Sequence, residues 1–412
     1  MAASEPRNYP FTDADRLTVD PAYARLRVEE PLCRVRFPYG EAAWLVTRYE
    51  DVRTVLGDPR FSRAEAVHRD EPRLRPHRGL EGSILDLDPP DHTRLRRIVA
   101  KAFTARHIER LRPRTERIAA ELADAMVTRG APADLVADFA LPLPVTVICE
   151  LLGVPLADRA DFRTWSDALL STTRYTPRRI RDCTDALMAY MAGLIAERRT
   201  ARHEDLLGAL VDARDDDDRL SERELQVLAV SLLVAGHETT ASQIPNFVYM
   251  LLTHPEQLTA LRADPGLVPG AVEELMRYVP LGNGAGMPRY ALDDVELSGG
   301  TVRAGEAVVV CPVSANRDEA VYTDPDRLDL LRQEASHVGF GHGPHHCLGA
   351  QLARMELQVA LRTLLDRLPG LRLAGPEESV VWKSGMVLRG PERMPVTWDR
   401  PDGLRPSGTP AR

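Results

Sequence analysis

The stretch SHVGFGHGPHHCLGAQLARMEL, from Ser336 to Leu357, restricts the folding of this chain more than any other. Glycines at 339, 341, 343 and 349 surround Cys347, and His342, His345 and His346 crowd in just before it. A helical run follows directly. Glycine permits backbone angles closed to other residues and lets a bulky group come close. A thiol at the mouth of a helix meets free N–H groups and a dipole that favour the thiolate. N–H groups aimed at the sulfur also tune its donor strength. Four roles compete for such a cysteine. The usual fate of a free Cys is burial as a small hydrophobe. A zinc site would find the right ligand types, but such sites draw pairs from two separated knuckles, and no second pair lies nearby. A nucleophilic cysteine needs a positioned His base and an orienting third group. The fourth role is an axial thiolate on haem iron, which favours O–O cleavage.

The rest of the chain sets the frame. Hydrophobic residues make up 44% of the 412 but aromatics only 5%, so Leu, Val and Ala must fill the core. The net charge of -8 argues against non-specific nucleic-acid binding. Cys33, Cys149, Cys183, Cys311 and Cys347 show no pair spacing, so a disulfide framework is not expected and the thiols read as reduced. The start lacks a basic segment followed by an apolar one. No apolar run approaches the roughly 20 residues that span a bilayer. The reading is a cytoplasmic chain without nucleic-acid or membrane partners. Helical periodicity runs from Asp91 to about Arg129, and a long apolar helix from Glu224 to about Thr253 contains Pro245, which should kink it. Before that helix, DARDDDDRLSERE reads as an acidic loop, with Ser221 and Glu224 forming a capping box. Residues 60–87 read as a long polar loop, often a functional element. Short alternating strands follow Pro288. The expected architecture is mainly α with small β-sheets, one domain over 1–398 and a disordered tail over 399–412.

At every fixed position, Phe340-Gly341-x-Gly343-x-His345-x-Cys347-x-Gly349 resembles the haem-binding signature of the cytochromes P450. The resemblance implies that Cys347 is the proximal iron ligand, that Phe340 packs beside the sulfur, that His345 approaches a haem propionate and that Gly349 belongs to the cofactor pocket. His342 and His346 fall at variable positions. Glu274 and Arg277, taken alone, are a helical i,i+3 pair worth a few tenths of a kcal/mol. By resemblance they form a structural core pair met by the backbone of ANRDEAVYTDPDRLDL, with Tyr322 where Phe is common. In AGHETT, from Ala235 to Thr240, a zinc-protease motif fails because position 241 is Ala. Thr239 alone would bond back to the Ala235 carbonyl. By resemblance this is the oxygen-binding groove, with Glu238 relaying protons and Thr239 hydrogen-bonding during O2 activation. His92 and Arg96 share a helical face, on their own a solvated basic surface. By resemblance they join Arg289 and His345, four groups for two propionates.

The resemblance covers nearly the whole chain and is strongest to soluble actinobacterial P450s of natural-product metabolism. It implies a P450 fold with haem b between the long distal helix and the proximal Cys loop and helix. It implies a monooxygenase that uses O2, with electrons from NAD(P)H through a separate ferredoxin and reductase, since no flavin or nicotinamide domain is apparent. The expected outcome is hydroxylation or epoxidation of a secondary metabolite such as a polyketide or macrolide. Oxidative coupling of a peptide or aromatic product is the alternative, and a non-oxygenating haem protein a third reading. Arg94, Arg97 and Lys101 offer a basic docking face, with a bland solvated surface as the competing reading. Substrate contacts are expected from residues 63–85, from the break near 165–180, and from Leu232, Ala235, Gly236, Gly286, Met287, Met386 and Val387. Gly282, Gly284 and Gly286 suggest room for a bulky substrate. A monomer is expected.

Overall fold

The computed structural model describes residues 5–13, 15–200, 205–215 and 220–399. The centre of the expected acidic loop, at 216–219, and the tail beyond Asp399 lie outside them. Asp399 itself donates its N–H to the Pro369 carbonyl at 2.7 Å.

The principal helices are α1 (Asp91–Ala100), α2 (Ala105–Arg129), α3 (Pro142–Leu152), α4 (Arg159–Leu169), α5 (Pro177–Thr200), α6 (Glu222–Thr253), α7 (Val268–Tyr278) and α8 (Ala350–Arg367). The single helix expected from Asp91 to Arg129 is thus two. Apolar spacing persists through Ala102 and Phe103, but Thr104 caps a new start, its hydroxyl accepting from His107 N at 3.3 Å. The long helix α6 opens with the expected capping box: Ser221 Oγ accepts from Glu224 N, and Glu224 Oε2 accepts from Ser221 N at 2.7 Å. Pro245, where a kink is expected, lies inside this helix, which runs on to Thr253. Every residue from Thr240 to Leu251 is buried, and that packing offsets the roughly 3 kcal/mol an interior proline costs. Around α6 the core cluster draws on α2, α3, α5, α7 and α8.

The main sheet uses β1 (Arg7–Asn8), β2 (Leu32–Arg36), β3 (Ala42–Val46), β4 (Phe61–Ser62), β5 (Arg289–Ala291) and β6 (Ala307–Val310), in the order β1-β2-β3-β6-β5-β4. β3 runs parallel to β6 with Trp44 opposite Val308, while β5 lies antiparallel to both β6 and β4. Arg289 therefore starts an internal strand and is buried.

Glu274 and Arg277 on α7 are both buried and joined at 2.7 and 2.8 Å. Arg277 also donates to the carbonyls of Asn316 at 2.7 Å and Pro325 at 2.9 Å, and Glu274 accepts from Asp329 N at 2.9 Å. The pair clamps the segment leading to the Cys347 loop. Tyr322 packs edge-on against Tyr49 and lies beneath the Arg277 guanidinium.

Candidate functional site

The loop before α8 is held by its own backbone. Cys347 N donates to Phe340 O at 2.8 Å, and Gly341 N to Val338 O at 2.9 Å. Gly343 has φ +69°, and a Cβ there would collide with the Leu56 carbonyl and approach Gly57 Cα to 2.8 Å. Glycine is needed for the loop to lie against that preceding helix end. A Cβ on Gly349 would meet nothing within 4 Å. Cys347 is accessible, whereas Cys33, Cys149, Cys183 and Cys311 are buried. Surrounding protein still pushes its thiol pKa up, partly countered by the Gly349 N–H and the charges of Arg96 and Arg354. A sulfur both accessible and enclosed lines an internal slot. Phe340 is buried beside it, with Arg354 stacked 4.5 Å from its ring centroid.

One edge of the slot is cationic. The rings of His92 and His345 lie 4.2 Å apart. Burial, then His92, Arg289 and Arg63, lower the His345 pKa to about 3. Burial, then Arg63, lowers that of Arg289 to about 10. Arg96 donates to His346 O at 2.6 Å, and its burial is offset by the nearby Cys347. Among the described residues no carboxylate hydrogen-bonds His92, Arg96, Arg289 or His345. His92 and His345, their pKa values pushed down by burial, stand there as neutral rings, and Asp88 reaches His92, Arg289 and His345 only through its charge, so the buried arginines are incompletely paired. This donor set suits a group with two carboxylates at its edge, a flat face over Gly349 and a metal at the sulfur. The sequence reading missed Arg63, which is buried, donates to Pro288 O and pairs with Asp86 at 2.8 Å. Its only sequence signal is the acidic spacing of Asp86 and Asp88 downstream. No group of three or more His, Cys, Asp or Glu side chains among the described residues forms a metal cage, which removes the zinc reading.

α6 supplies a second wall. Ala235 is exposed within the half-buried stretch of α6 from Ser231 to Gly236, and Thr239 Oγ1 donates to its carbonyl at 3.0 Å. Glu238 is buried. Burial pushes its carboxyl up, but contact with His237 and the charges of His237, Lys383 and Arg163 outweigh this and lower the pKa. His237 Nε2 comes within 3.1 Å of Glu238 Oε1, at an angle too poor for a hydrogen bond, while its Nδ1 bonds Leu233 O at 2.7 Å.

Next to this wall is a cavity of about 610 Å³, lined among others by Val67, Arg75, Leu169, Thr239, Met287 and Leu388. The expected segments 63–85 and 165–180 both contribute. Of the residues expected to contact substrate, Ala235 and Met287 line it, and five do not. Gly236 faces α3, where a Cβ would stand 2.6 Å from Ile148 Cδ1. Leu232 packs into the core. Gly286 is pinned by Val310, which accepts its N–H at 2.8 Å. Met386 is buried and bridges to Ser171, and Val387 N bonds Leu170 O, so Leu388 is the residue that faces inward. Gly284 leaves room for the hydroxyls of Tyr23 and Tyr9 rather than for a ligand. The two roof segments are fastened differently. Gly385 O accepts from the N–H groups of Thr172, Thr173 and Arg174. The loop 63–85 reaches α4 through Arg75, which donates to Leu169 O at 2.9 Å.

On the expected docking face Arg97 and Lys101 are exposed, whereas Arg94 is engaged by Glu224 at 2.5 Å. No helix among the described residues is long and apolar enough to cross a membrane.

A family model described as Cytochrome P450 matches residues 29–383. The chain is 56% identical over 398 residues to mycinamicin IV hydroxylase/epoxidase of Micromonospora griseorubida, spanning 97% of this chain and 100% of that one. It is 54% identical over 399 residues to nocardicin C N-oxygenase of Nocardia uniformis subsp. tsuyamanensis, again over 97% and 100%. The crystal structure of the LnmA cytochrome P450 hydroxylase, from the leinamycin pathway of Streptomyces atroolivaceus S-140, matches with a TM-score of 0.89 at 55% identity, over 95% of this chain and 100% of that one.

Proposed function

The chain belongs to the cytochrome P450 family, and from that premise we propose that Cys347 is the axial ligand of haem iron and that a secondary metabolite of polyketide or macrolide type is hydroxylated or epoxidised in the cavity beside α6. The enzyme is a P450 monooxygenase of the actinobacterial natural-product type. Its cofactor is haem b, and its electrons come from NAD(P)H through partner proteins. The chemistry a bound haem supplies is reductive activation of O2, with one oxygen atom placed in the substrate and the other released as water.

The observation that carries the site assignment is the combination of an accessible Cys347 with a buried edge of two arginines and two neutral histidines that no carboxylate hydrogen-bonds among the described residues, Asp88 reaching it only through its charge. His92, Arg96, Arg289 and His345 hold the two propionates. The Gly349 N–H and the charges of Arg96 and Arg354 offset part of the burial that works against a thiolate at Cys347. Glu238, held as a carboxylate, takes up a proton and delivers it toward the cavity, and the Thr239 hydroxyl orients the transfer. Val67, Leu169, Met287 and Leu388 exclude bulk water. A volume near 610 Å³ is in the usual range for drug-sized ligands, and the relative that is 56% identical is by name a mycinamicin IV hydroxylase/epoxidase. The electron donor is a separate ferredoxin with its reductase, docking against Arg97 and Lys101, and the enzyme works as a cytoplasmic monomer.

The reduced protein with CO should show the absorbance band from which the family takes its name, and Cys347→Ser should lose it. A well-folded, haem-loaded wild type without that band would defeat the assignment. Soret shifts on titration with macrolides, peptides and terpenoids would then sort the substrate class.

A further inference from the structure

Glu238 is flanked by a residue from a remote part of the chain. Lys383 follows the short strand β7 (Val381–Trp382) and points inward between α4 and α6. Its Nζ donates to Ser242 Oγ at 3.0 Å and stands 3.9 Å from Glu238 Oε2. Glu238 and Ser242 are one helical turn apart on α6, so the ammonium spans both. The contact is well shielded, with Lys383 14% and Glu238 3% exposed. Composition adds a second observation. Of the 53 basic Lys and Arg residues only Lys101 and Lys383 are lysine. Among the described residues every other ion pair between a carboxylate and a Lys or Arg is made by arginine, whose fork is large and always charged. Beside Glu238 it places a compact ammonium instead.

We propose that Lys383 is a positioning residue for oxygen activation, anchoring on Ser242 and holding Glu238 as an aimed anion beside Thr239. The inference rests on the relay role proposed above for Glu238. Further groups act on the same carboxylate. His237 approaches from its own helix, and Arg163 and Asp167 act from α4. Asp167 is half-buried, and its pKa is raised by burial and by the charge of Glu238, then lowered by Lys383, Arg163 and Arg174. Glu392 feels Arg174, Arg163 and Lys383 in turn. Lys383 thus serves two acids, and removing it leaves Glu238 and Asp167 facing each other with less positive charge. Glu238 should then hold its proton to higher pH.

The test compares Lys383→Met, Lys383→Arg and Glu238→Gln in the haem-loaded enzyme with a turned-over substrate. In Lys383→Met, product formed per NAD(P)H should fall by roughly tenfold with matching peroxide release, less than the 10²–10⁴ typical of losing an acid–base group outright. The acid limb of its pH profile should move to higher pH, and Lys383→Arg should return it most of the way. A second readout needs no turnover. The infrared carbonyl band of a protonated carboxyl should persist to higher pH in Lys383→Met than in wild type, and that difference should vanish when Glu238→Gln is added. If Glu238→Gln leaves product yield intact, the relay reading fails. If Glu238→Gln lowers yield while Lys383→Met keeps both the wild-type pH profile and the wild-type infrared spectrum, the role of Lys383 is overturned and that of Glu238 stands.

Discussion

Replacing Glu356 by Gln should stabilise the fold by an amount that grows with pH. Glu356 lies inside α8 at 0% exposure, and neither carboxyl oxygen has a hydrogen-bond partner among the described residues. Burial alone raises its pKa well above the ordinary range. The unfolded chain releases this proton near the usual value of about 4.3, whereas the folded chain keeps it. Folding therefore binds a proton, and the group's stabilising share is fully present below the unfolded pKa and lost as pH rises toward the folded one. Within that window wild type loses about 1.36 kcal/mol per pH unit, or about 2.7 kcal/mol over two units, that a neutral glutamine retains. The glutamine amide brings donors of its own, and leaving them unpaired costs about 1–3 kcal/mol at every pH. The slope is thus diagnostic and the offset is not. Urea midpoints followed by circular dichroism at pH 5, 6, 7 and 8 would measure it for both proteins. A difference between them that does not change with pH would refute the reasoning.

Removing Arg277 as Arg277→Ala should cost up to about 3–5 kcal/mol, because buried Glu274 keeps only Arg332 at 3.3 Å as a cationic partner and the Asn316 and Pro325 carbonyls lose their donor. The yield of haem-loaded protein measures it, and Arg277→Lys should recover little, since one ammonium cannot replace the fork. Gly343→Ala should weaken haem retention and cost on the order of 1–3 kcal/mol, from φ +69° and the clash with Leu56 O. Haem transfer to an apoprotein acceptor reads the first effect and thermal melting the second.

What the sequence made legible was contiguous. The Cys347 loop, the Ser221–Glu224 cap and the Ala235–Thr240 stretch each state their chemistry within a few residues. Facing direction was not legible. Gly236 and Ala235 are neighbours, yet one meets Ile148 and the other the cavity, because about 100° of helical rotation separates them. Val387 and Leu388 exchange roles for the period-two reason. Gly284 looked like free space because the tyrosines that fill it, Tyr9 and Tyr23, stand at the other end of the chain. The roles of Arg63 and Lys383 were not legible because Asp86, Asp88 and Glu238 are brought to them only by the fold. The break at Thr104 was hidden because apolar spacing ran straight through it.

The unequal fastening of the cavity roof has a consequence for how this enzyme selects what it oxidises. Residues 172–174 are tied to Gly385, on the same loop as Lys383 and Leu388, so distortion there reaches the Lys383–Glu238 contact as well as the cavity wall. The 63–85 side is tied through Arg75 to Leu169 and through Asp70 and Arg73 to Glu41 and Tyr39, and among the described residues makes no hydrogen bond of its own to that loop. Tolerance for new molecules and fidelity of oxygen use are therefore written into opposite sides of one chamber. Variation between Val67 and Leu85 can widen the diet of the enzyme while its efficiency is kept, and variation near Thr173 trades one for the other.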